Sequence, residues 1–372
     1  MKRLVLVGGG HAHLRVLADL AARPLPGVET TLVSPSTLHH YSGMVPGFLQ
    51  GAYPEAALTI DLASLAARAG AGLVEAAAGG IDVGGRTVDA GGARLPFDAL
   101  SLDVGAAPAG LDVPGAREHA LTVRPMREAV ALRTRIDGLA SPARRGPVRV
   151  TVVGAGAGGV EVALAIHRRI REAGLRPEVS LVEAGPEVLP DYAAPVRRRA
   201  GDILARRGIA VAVGSEVSRV EAGAVQLANG TRSAADLVVW LAGAAGPAVL
   251  ADSGLPLDAR GFLLVDATLR AVGHAPVWGA GDCVTLADHP DTPKAGVYAV
   301  RQGPALARSL RAALGDGRPR AYSPQRTFLS LLNTADGKAL LRWHGVVSHS
   351  RVAWWLKDRI DRRFVRRYRP PA

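Results

Sequence analysis

Gly8-Gly9-Gly10-His11-Ala12-His13 and Gly154-Ala155-Gly156-Ala157-Gly158-Gly159 are the stretches that decide the fold, because each stands directly behind a short apolar run. Leu4 to Val7 and Val150 to Val153 read as buried parallel strands. The glycines behind them read as tight turns into helices whose N-terminal amides face a pyrophosphate. One such turn alone is weak evidence. Two of them, 146 residues apart with a third glycine motif near residue 280, predict two bound dinucleotides.

With 372 residues, 48% of them hydrophobic, and 44 glycines, the chain has material for two or three cores of the α/β class. Its longest nearly unbroken apolar stretch, Leu237 to Ala251, has 15 residues. A bilayer span needs about 20, so no transmembrane helix is expected. Lys2 and Arg3 precede only four apolar residues, too few for a signal peptide. The expected location is cytoplasmic, either free or peripheral on the inner face of the cell membrane. Cys283 is the only cysteine, which excludes an intrachain disulfide and any Cys-x-x-Cys redox pair.

In the first unit the strand Thr30 to Val33 ends at Ser34, where an acid usually holds a ribose; a hydroxyl there binds less strongly than a carboxylate. Residues 71–104 alternate apolar runs with glycine turns and predict an antiparallel meander. Arg124 to Leu139 reads as a helix, and Ser141-Pro142 with Arg144-Arg145-Gly146-Pro147 as a linker. The second unit, from Val148, has a strand, a glycine turn, a helix carrying Glu161, and a strand closed by Glu183, 24 residues after Gly159. A carboxylate there accepts from a ribose 2′-OH and repels a 2′-phosphate, which favours NADH over NADPH. A return segment, Gly261 to Thr268, leads to Val277-Trp278-Gly279-Ala280-Gly281-Asp282, a strand that should rejoin the first sheet. That order predicts one nucleotide domain inserted into another.

The two fingerprints, the insertion order and Gly279-Ala-Gly-Asp282 together resemble the two-dinucleotide flavoproteins, which include pyridine nucleotide-disulfide oxidoreductases and type II NADH dehydrogenases. Asp98-Ala-Leu-Ser-Leu-Asp-Val-Gly105-Ala-Ala-Pro108 is similar to the family segment closing the first half of the FAD domain. Within the family, Tyr41-Ser-Gly-Met-Val-Pro-Gly47, Pro293-Lys-Ala-Gly-Val-Tyr-Ala-Val-Arg-Gln302 and Lys357-Asp-Arg-Ile-Asp-Arg-Arg-Phe364 most resemble the flavoprotein found alone or fused to selenide, water dikinase. The implied fold is α/β with two Rossmann-like domains, the NAD domain inserted into the FAD domain, plus a small C-terminal α/β region with a basic amphipathic helix. Residues 1–115 and 265–325 would form the FAD domain, 146–264 the NAD(H) domain, 116–145 a helix and linker, and 326–372 the C-terminal region.

By the same resemblance FAD would lie against Gly8, Gly10, His11, Ser34, Tyr41, Ser42, Gly105, Gly281, Asp282, Lys294 and Ala295. NADH would lie against Gly154, Gly156, Gly159, Glu161, Glu183 and Gly243. His13 stands where the family has its third glycine. Thr292 and Pro293 would cap and begin a helix facing the flavin. Glu161 resembles a family glutamate near the nicotinamide, against the alternative of an ordinary surface glutamate, and the flavin itself would carry the chemistry. No metal is expected from His11, His13, His39 and His40, which lack a supporting cluster.

Residues 351–372 carry eight basic side chains against Asp358 and Asp361, a local charge of +6 out of +12. Leu356, Ile360, Phe364 and Tyr368 fall on one helical stripe there. Residues 351–369 therefore suit either an anionic membrane surface or packing on the protein itself or in a homodimer. No nucleic-acid module is visible. The resemblance implies an FAD-dependent oxidoreductase that takes hydride from NADH and passes electrons to a quinone-type acceptor. Type II NADH dehydrogenases carry glutamines along the quinone path where this chain has Val297 and Arg301. A soluble enzyme with a non-quinone, selenium-linked acceptor and a non-catalytic flavin or NAD sensor therefore stand as alternatives.

Overall fold

The computed structural model describes residues 1–125, 128–139, 145–273 and 276–370. Ser141, Pro142 and Arg144 of the expected linker lie outside them. The first unit comprises β1 (Lys2–Val7), α1 (His11–Ala22), β2 (Val28–Ser34), α2 (Val45–Gln50), β3 (Ala71–Glu75), β4 (Ala78–Asp82), β5 (Thr87–Ala90), β6 (Ala93–Pro96) and β7 (Ala99–Leu102). The second comprises β8 (Ala120–Thr122), α3 (Glu128–Leu139), β9 (Val148–Val153), α4 (Ala157–Glu172), β10 (Pro177–Val182), α5 (Ala194–Arg206), β11 (Ala210–Ala212) and β12 (Leu237–Trp240). Then come β13 (Val277–Gly279), α6 (Gly296–Leu314), β14 (Ser330–Asn333), β15 (Ala339–Trp343), β16 (Val346–Ser350) and α7 (Arg351–Tyr368).

Two five-stranded parallel sheets result. The first has the order β13-β7-β1-β2-β3 and the second β8-β12-β9-β10-β11. Leu4 to Val7 of β1 are buried in the middle strand of the sheet, which is why the strand reads as an unbroken apolar run. β13 pairs with β7 in parallel, Val277 beside Leu100, so the chain returns to its first sheet after completing the second. The nucleotide-binding ends of the two sheets are also tied together. Ala107–Pro108 pairs antiparallel with Ala244–Ala245, and α2 packs on α4.

α6 runs against α1, and Gly303 lets them approach closely: a Cβ there would lie 2.8 Å from Cβ of Arg15. The buried Arg311 then pins the pair, its guanidinium meeting Asp19 at 2.5 Å and Asp316 at 2.7 Å. Such doubly paired guanidinium groups tolerate burial because both partners satisfy their fixed donor fork.

Four sequence expectations change. The antiparallel meander is confined to β4, β5 and β6, while β3 and β7 on either side join the parallel sheet; glycine turns mark both kinds of boundary alike. Ala120–Thr122, read as part of a helix and linker, pairs in register with Val238 to Trp240 as an edge strand, too short to show a period. The helix expected at Thr292 starts only at Gly296, and the Thr292 hydroxyl donates to His289 O instead. Finally, α7 buries Ala353, Lys357, Asp361, Phe364, Val365 and Tyr368, whereas Ile360 is 42% exposed and Leu356 half-buried. The buried stripe is thus rotated from the apolar one, because two charged residues pair with each other inside it.

Candidate active site

The first glycine turn opens on a cleft of about 450 Å³. Gly8 to His11 form one wall, Ser34 and Ser42 another, and Asp103 to Gly105 with Asp282 the floor. Gly8 has φ +95°, and a Cβ there would sit 2.3 Å from the Asp103 carbonyl oxygen, so only glycine fits. The Asp103 carboxylate accepts from the amides of Ala12 at 2.7 Å and His13 at 2.9 Å, capping α1 from the end of β7. Burial pushes its pKa up to about 7 despite these two donors. A phosphate in the cleft would therefore be held by the Gly9 to His11 turn, since the next two amides are taken.

His13 fills its glycine position by bonding to it: Nδ1 donates to Gly8 O at 2.6 Å and Nε2 accepts from the Ser101 hydroxyl at 2.8 Å. Its burial lowers the pKa to about 4, so the ring is neutral. His39 donates from Nδ1 to Gly9 O at 2.8 Å, which leaves Nε2 as a buried acceptor without a partner on a residue lining the cleft. His11 Nε2 is likewise buried and unpartnered, and the two rings meet edge to face at 4.9 Å. Unpartnered buried acceptors beside a glycine cradle fit the sugar hydroxyls of a dinucleotide such as FAD. Ser34 uses its hydroxyl on Ser36 O at 2.7 Å.

The second turn opens on a larger cavity of about 1130 Å³. Gly154 has φ +100° and packs against the Leu241–Ala242 backbone. Gly159 admits no side chain at all, since a Cβ would stand 1.8 Å from Gly154 O. Gly156, by contrast, has nothing within 4 Å of its Cβ position and faces open space. That space belongs to the cavity lining. Glu183 lines this cavity and accepts from Ala155 N at 2.6 Å and Gly185 N at 2.9 Å, with lone pairs left for a hydroxyl. Gly243 lines it too, at φ +61°.

Not all the expected residues converge. Lys294 and Ala295 line the larger cavity rather than the first cleft. The Lys294 ammonium is held by Val284 O and by Thr285 Oγ1 at 3.0 Å, over the Phe262 ring. Gly281 is buried behind the cleft, where its amide donates to Gln302 Oε1 at 2.6 Å. Tyr41 stacks on Phe364 of α7 at 4.4 Å, with its hydroxyl 3.3 Å from Asp361. Cys283 is buried, its thiol pushed up to about 12 by burial. Arg124 lines both cavities and lies 3.6 Å from Asp282, so the two spaces adjoin at this guanidinium.

Glu161, expected against NADH, lines neither cavity; it is half-buried on α4, and its Oε1 accepts from Asn333 N at 2.7 Å. Burial pushes the carboxyl up to about 7, with Lys357 pulling it down and Asp361 pushing it up. Asn333 in turn donates from Nδ2 to Gln50 Oε1 at 2.8 Å. Lys357 closes this region, donating to Asp361 at 2.8 Å and Gly43 O at 2.7 Å. Burial works against its ammonium, but Asp361 and Glu161 outweigh it and hold the pKa above the ordinary lysine value.

A family model for pyridine nucleotide-disulphide oxidoreductases matches residues 2–303. The chain belongs to that family. An NADH dehydrogenase-like protein of Mycobacterium tuberculosis is 31% identical over 301 residues, 76% of this chain and 72% of that protein. The type II NADH:quinone oxidoreductase of Staphylococcus saprophyticus is 23% identical over 387 residues, covering 98% of this chain and 95% of the relative. Among solved structures, the sulfide:quinone oxidoreductase of Aquifex aeolicus superposes with a TM-score of 0.82 at 18% identity, over 99% of this chain and 92% of that one. NDH2 of Plasmodium falciparum in complex with NADH also gives 0.82, at 13% identity, over 98% and 97%. These likenesses establish the two-dinucleotide fold.

Sequence reading missed three contributors to this oxidoreductase site. Asp103 has a signal in hindsight, an acid interrupting the apolar run Ala99 to Val104. His39 was weighed only as a metal ligand. Arg124 carries no local cue, because its role comes from lying between two domains.

Proposed function

We propose that the protein is an FAD-dependent NADH oxidoreductase that hands its electrons to a quinone. The observation that carries this reading is the meeting of two glycine-cradled cavities at Arg124, which puts two dinucleotides within reach of each other. FAD belongs to the cleft of Gly8, Gly10, His11, Ser34, Ser42, Gly105 and Asp282, where the buried acceptors and the Asp282 carboxylate meet its hydroxyls. NADH belongs to the cavity of Gly154, Gly156, Gly159, Glu183 and Gly243, with Glu183 selecting against a 2′-phosphate. Lys294 and Ala295 stand on the wall of that second cavity. When bound, FAD supplies the two-electron exchange, and the protein supplies position and field. Glu161 is a half-buried carboxyl poised to hold or release a proton near neutral pH, fixed by Asn333 N and faced by Lys357.

The quinone assignment rests on the activity of the Staphylococcus saprophyticus type II relative, which aligns with 98% of this chain. A lipid-soluble acceptor is best met at a membrane surface, and the exposed side of α7 suits one. Val352 is 73% and Trp355 60% exposed, and Trp343 and Val346 on the adjoining hairpin are 42% and 58% exposed. Arg359 lies over the Trp355 ring at 5.7 Å, and Arg362, Arg363, Arg366 and Arg367 continue the exposed face. Aromatic anchors among arginines favour the interface of an anionic bilayer. No helix of the described residues is long and apolar enough to cross a membrane. The assigned location is peripheral, on the inner membrane face.

The test is anaerobic addition of NADH to purified protein, followed by a ubiquinone analogue with and without anionic vesicles. Reduction by NADH and reoxidation by the quinone, faster on vesicles, support the reading. Reduction that only a soluble dye reverses removes the quinone.

A further inference from the structure

Away from both dinucleotide cavities, a third cavity of about 280 Å³ opens between α5 and the turn joining β14 to β15. It has the volume of on the order of nine water molecules at liquid density. Its walls are Arg199, Arg206 and Arg207 from α5 and just beyond it, Lys338 and Asp336 from the turn, and His349 from β16. One acid thus faces four permanent cations. That acid is already committed: Asp336 meets Arg207 at 3.1 Å and accepts from the Thr334 hydroxyl at 2.6 Å. Among the described residues, Arg199, Arg206 and Lys338 have no ion pair within 4 Å. Arg207 also reaches Thr334 O at 3.4 Å and is braced by the turn, while Arg199 and Arg206 are exposed.

His349 reports the resulting field. Its side chain is 7% exposed and bonds to Thr334 Oγ1 at 2.9 Å, with Asp336 3.7 Å away. Burial lowers its pKa, Asp336 raises it, and Lys338, Arg199 and Arg206 lower it again. Burial is the main cause of the lowering, and the three cations act in the same direction, against Asp336. Four cations around one concave space, with a single carboxylate that already pairs with one of them, is an arrangement that recognises a multiply charged oxyanion.

We propose that this cavity binds a phosphate-type oxyanion, free or as a phosphomonoester headgroup, with Arg199, Arg206 and Lys338 as its ligands. The ligand would sit on the turn that follows Asn333, whose amide donates to Glu161, so the site connects to Glu161 through Thr334. Its existence does not depend on the electron acceptor.

The experiment uses the full-length holoprotein saturated with FAD and NAD⁺, so that neither dinucleotide cradle can take the probe. Pyrophosphate is titrated by calorimetry at several salt concentrations, and phosphatidylcholine vesicles with and without phosphatidic acid are tested by co-sedimentation. The comparison is with an Arg199→Gln/Lys338→Gln variant whose thermal melting matches the parent. Saturable pyrophosphate binding that weakens with salt and falls at least ten-fold in the variant supports a free oxyanion. Vesicle binding that depends on phosphatidic acid and on those two residues, without pyrophosphate binding, supports a lipid phosphate. In either case the His349 ring proton resonances titrate at higher pH when the ligand is bound. Absence of saturable binding to both probes, or equal binding by the variant, overturns the proposal.

Discussion

His13 Nδ1 lies 2.6 Å from the carbonyl oxygen of Gly8, while Gly159, at the matching step of the second turn, has room for nothing. The same turn is therefore closed in two ways, by an imidazole hydrogen bond in one domain and by bare backbone contact in the other. His13→Ala leaves Gly8 O and Ser101 unpartnered inside the first domain. The expected result is a loss of roughly 1–3 kcal/mol in denaturant unfolding and weaker FAD retention, with NADH-site variants unaffected. Unchanged stability would mean that the imidazole bridges contribute nothing.

Burial holds His11 and His13 neutral down to about pH 4 and His39 to about 3, whereas the unfolded chain protonates them near 6.5. The folded state binds fewer protons, so their contribution is complete above about 6.5 and is lost as pH falls through the folded values. Flavin release followed by unfolding on acidification from pH 6.5 to 4 is the expected behaviour, read by fluorescence. His39→Asn should flatten it, and an identical profile would count against the histidines.

Glu161 has the opposite sign. Its folded pKa of about 7 stands above the ordinary 4.5, so its contribution is complete below 4.5 and declines as pH rises through 7. Glu161→Gln should therefore gain stability over the parent at pH 8 relative to pH 5, by at most about 3 kcal/mol. A turnover inflection near pH 7 should also vanish in the variant. Parallel pH profiles in the two proteins would assign Glu161 a packing role only.

Gly156 and Gly159 separate binding from folding. Gly159→Ala forces a Cβ onto Gly154 O and should destabilise the second domain by roughly 1–3 kcal/mol. An added Cβ at Gly156 meets no protein atom, and Gly156→Val should melt near the parent while weakening NADH binding by about ten-fold or more, a loss of roughly 1.4 kcal/mol. Normal NADH affinity in Gly156→Val would remove that turn from the cofactor site.

Lys357 and Asp361 form an ion pair at 2.8 Å that is almost fully buried. Lys357→Ala strands a carboxylate and should cost about 3–5 kcal/mol, whereas Lys357→Met/Asp361→Leu should recover most of it. Equal loss in both variants would point to shape rather than charge.

The parallel strands and glycine turns were legible because Leu4 to Val7 and Val150 to Val153 owe their pattern to burial on both faces, which leaves a mark in consecutive residues. The third glycine motif, Gly279 to Asp282, extended that reading to the insertion of one domain in the other. Asp103 and Arg124 act on elements far along the chain, and no local period marks such roles. The rotated stripe of α7 was hidden for a different reason: hydropathy counts Lys357 and Asp361 as surface residues, and only their mutual neutralisation lets them face inward. Tyr53 reinforces that docking by donating to Asp358 at 2.7 Å.

The most direct measurement is an anaerobic NADH titration of the as-purified protein, followed at the flavin band at ~450 nm. The expected result is bleaching complete at one equivalent of NADH per bound flavin and restored by a ubiquinone analogue. Colour that persists under excess NADH, or protein that takes up no flavin at all, would contradict two dinucleotides meeting at Arg124.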